Sequence, residues 1–451
     1  MKIVTIVAMT TLLAGTVLAQ DAALAQDGGT PPKTLTAKVY NSGFDIAHDT
    51  YNAIDVASDG KVYYVLSSRS IDTGGQMYSF DPRTGKISHC GDLTEVCGEK
   101  GAKSISQGKS HVHFVESKGK LYFGTHVGYY TMVDGMEKMG IPPAGYKEYP
   151  GGHILSYDLK TGKFEDLALA PHKEGIITLN MDTARGLIYC ITWPTGYVFR
   201  YDLAKKQLTE IGPLSGEGEN GAGKNFRTLC RSLAIDPDDG SVYATTSEGT
   251  IFRLKTGSDK LEALEEDMKK DYFGIYDPTS AGNMGYNWRQ TVWSPRDKMV
   301  YGVHGNSGYL FQFDPRAERV NVIDRITSRP SQLSGMFDEF SYGYLGFTLG
   351  PDKHTLYYLT GGPIYVDGHR VKGKSSTAMG EAKGLEDLHL VTYDIAAGKY
   401  KDHGAIFYGN GQRPLYVNAI AVAKDGTVYT LARVTENSRT RTDLVQIPPV
   451  K

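Results

Sequence analysis

One unit recurs seven times along this 451-residue chain, and that repeat constrains the fold more than any other feature. Each copy reads as an apolar run, a tight turn, an aliphatic-Tyr pair in a second apolar run, a variable loop, an alternating segment that usually ends aromatic-Asp, another tight turn and a short last run. The aliphatic-Tyr pairs are Val62-Tyr63, Leu121-Tyr122, Ile188-Tyr189, Val242-Tyr243, Val300-Tyr301, Leu356-Tyr357 and Val428-Tyr429. The alternating segments follow at Met77 to Asp81, Ile154 to Asp158, Val198 to Asp202, Ile251 to Leu254, Leu310 to Asp314 and Leu390 to Asp394, with Leu444 to Pro448 as a degenerate seventh. Four short strands per unit and a spacing of roughly 55 to 70 residues mark propeller blades that carry insertions. The expected fold is all-β, a seven-bladed β-propeller. The last unit supplies only three strands, while Thr34 to Tyr40 precedes the first unit as an unassigned alternating strand. An open ring would leave strand edges unpaired, so this N-terminal strand is expected to complete the last blade as its outermost strand. Residues 34–451 then form one propeller domain.

Composition agrees. Fifty-three Gly and 30 Tyr against three Trp suit many short strands joined by turns. Helical periodicity appears only around Leu261 to Lys270. Lys+Arg 49 against Asp+Glu 51 leaves no charge excess to draw nucleic acid, and 40% hydrophobic content is enough for a core. Residues 1–25 read as an export signal: a positive Met1-Lys2, an apolar Ile3 to Leu18 and small residues near cleavage points at Ala19 and Ala25. The mature chain is expected to be secreted or periplasmic and free of the membrane once the signal is removed, an uncleaved anchor being the alternative. Export would allow Cys90 and Cys97, in one turn-rich loop, to close a small disulfide, free thiols being the other reading. Cys190 and Cys230, on apolar segments, read as buried free thiols.

The turns between first and second strands, such as Ser58-Asp59-Gly60 and Lys424-Asp425-Gly426, are minimal. The long insertions, Val127 to Gly152, Gly212 to Arg227, Ile326 to Tyr342 and Gly361 to Asp387, all fall on the opposite face, where binding or catalysis is usually built. Aligned on their turns, the seven first strands place Asn52, His111, Ile177, Arg231, Arg289, Leu345 and Asn418 in register near that face. The second strands end there with Ser67, His126, Trp193, Ser247, Gly305, Gly361 and Arg433. His111 and His126 should thus sit side by side, next to Tyr129 and Tyr130. His113 falls in a packing row and reads as structural, and His304 is one position out of register. Asp236 to Asp239 lacks the spaced carboxylates of a calcium loop, and Gly216 to Gly223 lacks the Lys-Ser/Thr ending of a phosphate loop. No nucleophile elbow occurs, and no cofactor motif is present.

Arg and Asn suit recognition of a carboxylate, and pairing that carboxylate with a cation acidifies the adjacent C–H. A His or Tyr can then take the proton, and a second group can protonate the departing oxygen. This is the equipment of β-elimination from a uronate. The candidate catalytic residues are His111, His126, Tyr129 and Tyr130, and the candidate substrate-binding residues are Asn52, Trp193, Arg231, Arg289 and Asn418. A propeller with a His opening one strand, His111, and a Gly-x-His closing the next, Gly124-Thr125-His126, resembles the propeller-fold polysaccharide lyases such as ulvan lyases and rhamnose-glucuronate lyases. In those families a His, a Tyr and an Arg serve the elimination, and His111 and His126 match the paired-His pattern. The resemblance implies a secreted carbon–oxygen lyase whose partner is a uronate-containing oligo- or polysaccharide. The alternatives are a binding propeller without turnover, whose face grips a glycan or a protein, and a metal-dependent enzyme in which further His join His111 and His126.

Overall fold

The computed structural model describes residues 34–49, 51–133, 136–273, 277–279, 285–304, 307–333, 346–363, 365–366, 369–370, 386–414, 417–436 and 439–450. The export segment, Leu345 and Gly305 lie outside the described residues. Nearly every described element is a strand. Five antiparallel four-stranded sheets follow one another along the chain. The first holds Ile54–Val56, Val62–Leu66, Gln76–Asp81 and Lys86–Asp92; the second Val115–Ser117, Lys120–Gly124, His153–Asp158 and Phe164–Leu169. The third holds Gly175–Asp182, Leu187–Trp193, Tyr197–Asp202 and Gln207–Pro213; the fourth Ala234–Ile235, Val242–Thr245, Thr250–Leu254 and Leu261–Asp267; the fifth Thr291–Ser294, Met299–Val303, Tyr309–Asp314 and Arg319–Arg325. The rest form one eight-stranded sheet in the order Gly346–Leu349, Thr355–Pro363, Glu386–Asp394, Lys399–Tyr408, Leu35–Val39, Arg439–Ile447, Val428–Glu436 and Ala421–Val422. Leu35–Val39 runs antiparallel to the last strand, with Lys38 opposite Gln446 and Val39 opposite Val445, and parallel to Lys399–Tyr408 on its other edge.

The repeat signature has a physical cause at each position. The aromatic-Asp ends a third strand so that its carboxylate can cap the following turn. Asp81 Oδ1 accepts from Arg83 N at 3.0 Å, Asp158 Oδ1 from Thr161 N at 2.8 Å, Asp202 Oδ1 from Ala204 N at 2.9 Å and Asp314 Oδ1 from Arg316 N at 2.8 Å. All seven repeat tyrosines are buried. Three of them pack on the third-strand aromatic of another sheet: Tyr63 on Tyr157 at 5.7 Å between ring centroids, Tyr243 on Phe313 at 5.1 Å and Tyr429 on Phe80 at 6.0 Å. The last of these joins the end of the chain to its beginning. First strands also neighbour one another, Ala234–Ile235 lying between Gly175–Asp182 and Thr291–Ser294, and Ala421–Val422 beside Ile54–Val56.

Two local readings resolve. Leu261 to Lys270 is not helical: Leu261–Asp267 is the outer strand of the fourth sheet, and a helix begins only at Lys270–Phe273. A bulge in the pairing with Thr250–Leu254 lets Leu261 and Leu264 both pack on the core, which imitates a helical spacing of three. Cys90 and Cys97 form no disulfide, and both are free. Cys90 turns toward Tyr157, while Cys97 is buried against His153. Cys190 and Cys230 are buried free thiols.

Candidate functional site

Of the six described residues aligned near the loop-rich face, only Ile177 lies within its first strand; Asn52, His111, Arg231, Arg289 and Asn418 sit in the segments that lead into theirs. All six are buried. They divide into two groups.

The first group closes the middle of the molecule with amides. Gln290 Nε2 donates to Asn52 Oδ1 at 2.8 Å and to the Asn418 carbonyl at 3.0 Å, while Gln290 Oε1 accepts from Phe347 N at 2.8 Å. Arg289 donates to Asn418 Oδ1 at 3.4 Å. Gln290 was not singled out from the sequence, although it is the hub that ties the first, fifth and eight-stranded sheets together.

The second group surrounds the histidines, and the Gly124-Thr125-His126 run shows why it folds as it does. A Cβ on Gly124 would fall 2.7 Å from Ile176 Cγ2, so the neighbouring strand passes only because the side chain is absent. Thr125 Oγ1 donates to Gln107 Oε1 at 2.7 Å, and Tyr149 donates to the same oxygen at 2.6 Å. His126 exchanges both backbone hydrogen bonds with Lys109, at 2.8 and 3.1 Å. His111 and His126 come together as expected, their ring centroids 5.8 Å apart. His126 also packs on Trp193 at 5.2 Å and on Tyr130 at 6.4 Å, and Tyr130 stands edge-on to Trp193 at 5.6 Å. Tyr129 does not join this cluster; it packs against the core, and its carbonyl accepts from Gly140 N at 3.1 Å.

Each imidazole is oriented by a backbone carbonyl. His111 Nδ1 lies 3.1 Å from Ile177 O, and His126 Nδ1 lies 3.0 Å from Val127 O. A carbonyl only accepts, so Nδ1 carries the proton in both rings and Nε2 keeps its lone pair. Burial, followed by the charges of Arg231 and Lys109, holds His111 well below the usual histidine range. Burial and then Lys109 do the same to His126, against the opposing hydrogen bond to Val127 O. Both rings are therefore neutral at pH 7. Among the described residues His126 Nε2 is enclosed and has no hydrogen-bond partner.

The cations around them are mostly matched. Arg231 pairs with Glu219 Oε1 at 2.5 Å and donates to Leu229 O at 2.9 Å. Glu219 also accepts from Trp193 Nε1 at 2.8 Å and Leu229 N at 2.9 Å. It belongs to the Gly216 to Gly223 loop, so this segment, without a phosphate-loop ending, supplies the counter-charge of a predicted site residue. Asp49 faces Arg69 at 2.7 Å, His48 Nδ1 at 2.8 Å and Arg433. Burial pushes the Asp49 pKa up, but these three partners outweigh it and hold the group far below the carboxylate range. Lys109, 2% exposed, projects its Nζ between the rings of Tyr51 and Tyr130, 3.9 and 4.4 Å from their centroids. Burial draws its pKa down to about 8 against the pull of Glu137 and Asp49. Lys109, Asp49, Glu137 and Glu219 went unread in the sequence; the signal for Lys109 was its place two residues before His111, on the same side of an extended segment.

His304 stands apart. Its Nδ1 lies 2.7 Å from Ser307 Oγ and its Nε2 3.1 Å from Gly285 O, and the ring stacks on Phe273 at 4.4 Å. His113 is half-buried, and burial takes its pKa down to about 4. Among the described residues no three His, Cys, Asp or Glu side chains gather into a metal-binding group, and no helix is long and apolar enough to cross a membrane. Asp236 to Asp239 is turn chemistry, with Asp238 N donating to Asp236 Oδ1 at 2.9 Å and Ser241 N to Asp239 Oδ1 at 2.7 Å.

No protein-family model and no curated protein matches the chain. Among solved structures, a chain of the mitotic checkpoint complex superposes with a TM-score of 0.50 over 94% of this chain and 98% of that one, at 12% identity. A candidate 6-phosphogluconolactonase from Bacteroides fragilis superposes at 0.48 over 85% of this chain and 93% of its own, at 10% identity. The first likeness speaks to the fold alone, and together with the succession of four-stranded sheets it makes the architecture β-propeller-like.

Proposed function

We propose that the chain is a seven-bladed β-propeller, closed by Leu35–Val39 against Arg439–Ile447, and an exported carbon–oxygen lyase that cleaves a uronate-containing glycan by β-elimination. Supporting the blade count are five four-stranded sheets and, among the described residues, one parallel seam in the eight-stranded sheet, beside Lys399–Tyr408, at which it divides into two sets of four. The chemistry rests chiefly on His126: a neutral imidazole, fixed through Nδ1, whose Nε2 lone pair has no partner among the described residues. Such a nitrogen is a ready base for the proton on the carbon beside a carboxylate. As that C–H bond breaks, its electron pair becomes the new C=C bond, and the pair of the C–O bond departs with the glycosidic oxygen. The imidazolium then returns its proton to that oxygen, so one residue serves as base and acid. His111 stands as the adjacent alternative, and Tyr130, whose hydroxyl donates to Val127 O at 2.6 Å, shapes the wall.

The test is incubation with a panel of uronate glycans while following ultraviolet absorbance of the unsaturated product. Appearance of that absorbance, and its loss by about 10²- to 10⁴-fold in His126→Ala, is the expected result. Absence of product on every glycan removes the lyase reading. A second reading, a binding propeller without turnover, is favoured by one observation: Arg231, Arg289, Asn52 and Asn418 are already engaged by protein groups. It expects glycan retention on an affinity column with no product.

A further inference from the structure

Lys109 is a cation with unused hydrogen-bonding capacity. An ammonium group has three donors, yet among the described residues Lys109 Nζ makes no hydrogen bond and no ion pair; it lies against the faces of Tyr51 and Tyr130. Such faces offset part of the lost hydration and leave the donors open. Two of the three anions nearby are committed elsewhere, Asp49 to Arg69, His48 and Arg433 and Glu219 to Arg231 and Trp193. Glu137, 3.9 Å from Arg69 and with its Oε1 unpartnered among the described residues, is the counter-charge that Lys109 feels most, yet no hydrogen bond joins the two. Glu137 belongs to the hairpin of Tyr130–Val133 and Met136–Met139. Lys138 in the same hairpin donates to Glu219 O at 2.6 Å and Gly221 O at 2.7 Å, so the hairpin is fastened over the site.

The backbone adds direction. Lys109 and His126 face each other across a two-bond antiparallel bridge, and residues opposed in this way send their side chains to the same side. An ammonium without a hydrogen bond and an imidazole whose Nε2 has no hydrogen-bond partner, both among the described residues, thus project from the same side of this bridge. A carboxylate with a hydrogen on its adjacent carbon satisfies both at once.

We infer that Lys109 is the group that binds the carboxylate of an acidic sugar and presents the neighbouring C–H to His126 Nε2. The role of His126 in that sentence rests on the lyase reading; the carboxylate site does not. A buried ammonium–carboxylate pair withdraws charge from the adjacent carbon, which is the activation that β-elimination requires.

Calorimetric titration with free D-glucuronate and with glucose tests the assignment on the intact chain. The wild type is expected to bind glucuronate and not glucose. Lys109→Met is expected to weaken glucuronate binding by at least about thirtyfold, and Lys109→Arg to recover part of it. Where the methionine variant does not fold, Lys109→Gln keeps the stem length and a polar head and reads the same loss. Glucuronate binding by either charge-removing variant within about threefold of wild type overturns the assignment, and so does a wild type that binds no glucuronate at millimolar concentration. Lys109-dependent glucuronate binding without product from any glycan would remove the lyase reading and leave the carboxylate site standing.

Discussion

Glu219 is the buried anion on which two of the predicted site residues depend. Its carboxylate takes Trp193 Nε1, Leu229 N and the Arg231 guanidinium, with Arg231 only 5% and Glu219 only 9% exposed in their side chains. Glu219→Ala leaves a guanidinium without its partner and is expected to cost about 3–5 kcal/mol in chemical unfolding, with Glu219→Gln costing less. His153 lies between Glu99 at 2.9 Å and Asp166 at 2.8 Å. Burial lowers its pKa, but the hydrogen bonds to Asp166, Cys97 and Glu99 overcome this and raise it from 6.5 to about 12. A raised folded-state pKa means that the stabilisation is complete below pH 6.5 and fades as the pH climbs toward 12. The stability difference between wild type and His153→Gln should therefore shrink between pH 6 and pH 10 in urea titrations. An unchanged difference would show that the charged form is not what the two carboxylates hold.

At the scale of elements, the close crossing of the first and second sheets is made by glycine. A Cβ on Gly108 would fall 2.5 Å from Gly128 Cα and 2.6 Å from Ser68 O, and all of these are backbone atoms that cannot swing aside. Gly108→Ala should destabilise the fold by about 1–3 kcal/mol and displace the adjacent Lys109, measured as an earlier melt together with weaker glucuronate binding. The strand Leu35–Val39 has two edges to satisfy and buries Leu35 and Ala37. Deleting residues up to Asn41 is expected to lower the melting temperature by more than about 5 °C relative to deletion up to Gln26. Equal melting of the two truncations would refute the closure. Elements such as these were legible because their causes are local: an Asp that caps its own turn, or a Tyr placed by a pleat of period two. The fourth-sheet outer strand was not, since a bulge broke that period.

For the whole molecule, legibility ran out where assembly begins. Register alone brought His111 beside His126, because the lead-in to a repeat's first strand and the end of its second strand reach the same face. It missed Asp49, Glu137 and Glu219, which lie outside the aligned strand positions of the repeat, and passed over Lys109 because a lysine is by default a surface residue. Gln290, reaching Asn52 across 238 residues and the Asn418 carbonyl across 128, shows the same limit: one amide joins three distant segments with no sequence pattern to announce it. Gln290→Leu would strand those partners and is expected to cost about 1–3 kcal/mol in unfolding measurements. The pairing of Leu35–Val39 with the final strand also sets an order of events during synthesis. Tyr40 hydrogen-bonds Gln446 across 406 residues, so the strand Leu35–Val39 must wait on the ribosome for a partner made that much later. The intervening sheets can form as they emerge, but this seam cannot, and the growing chain carries an exposed, sticky edge until Arg439–Ile447 has been made.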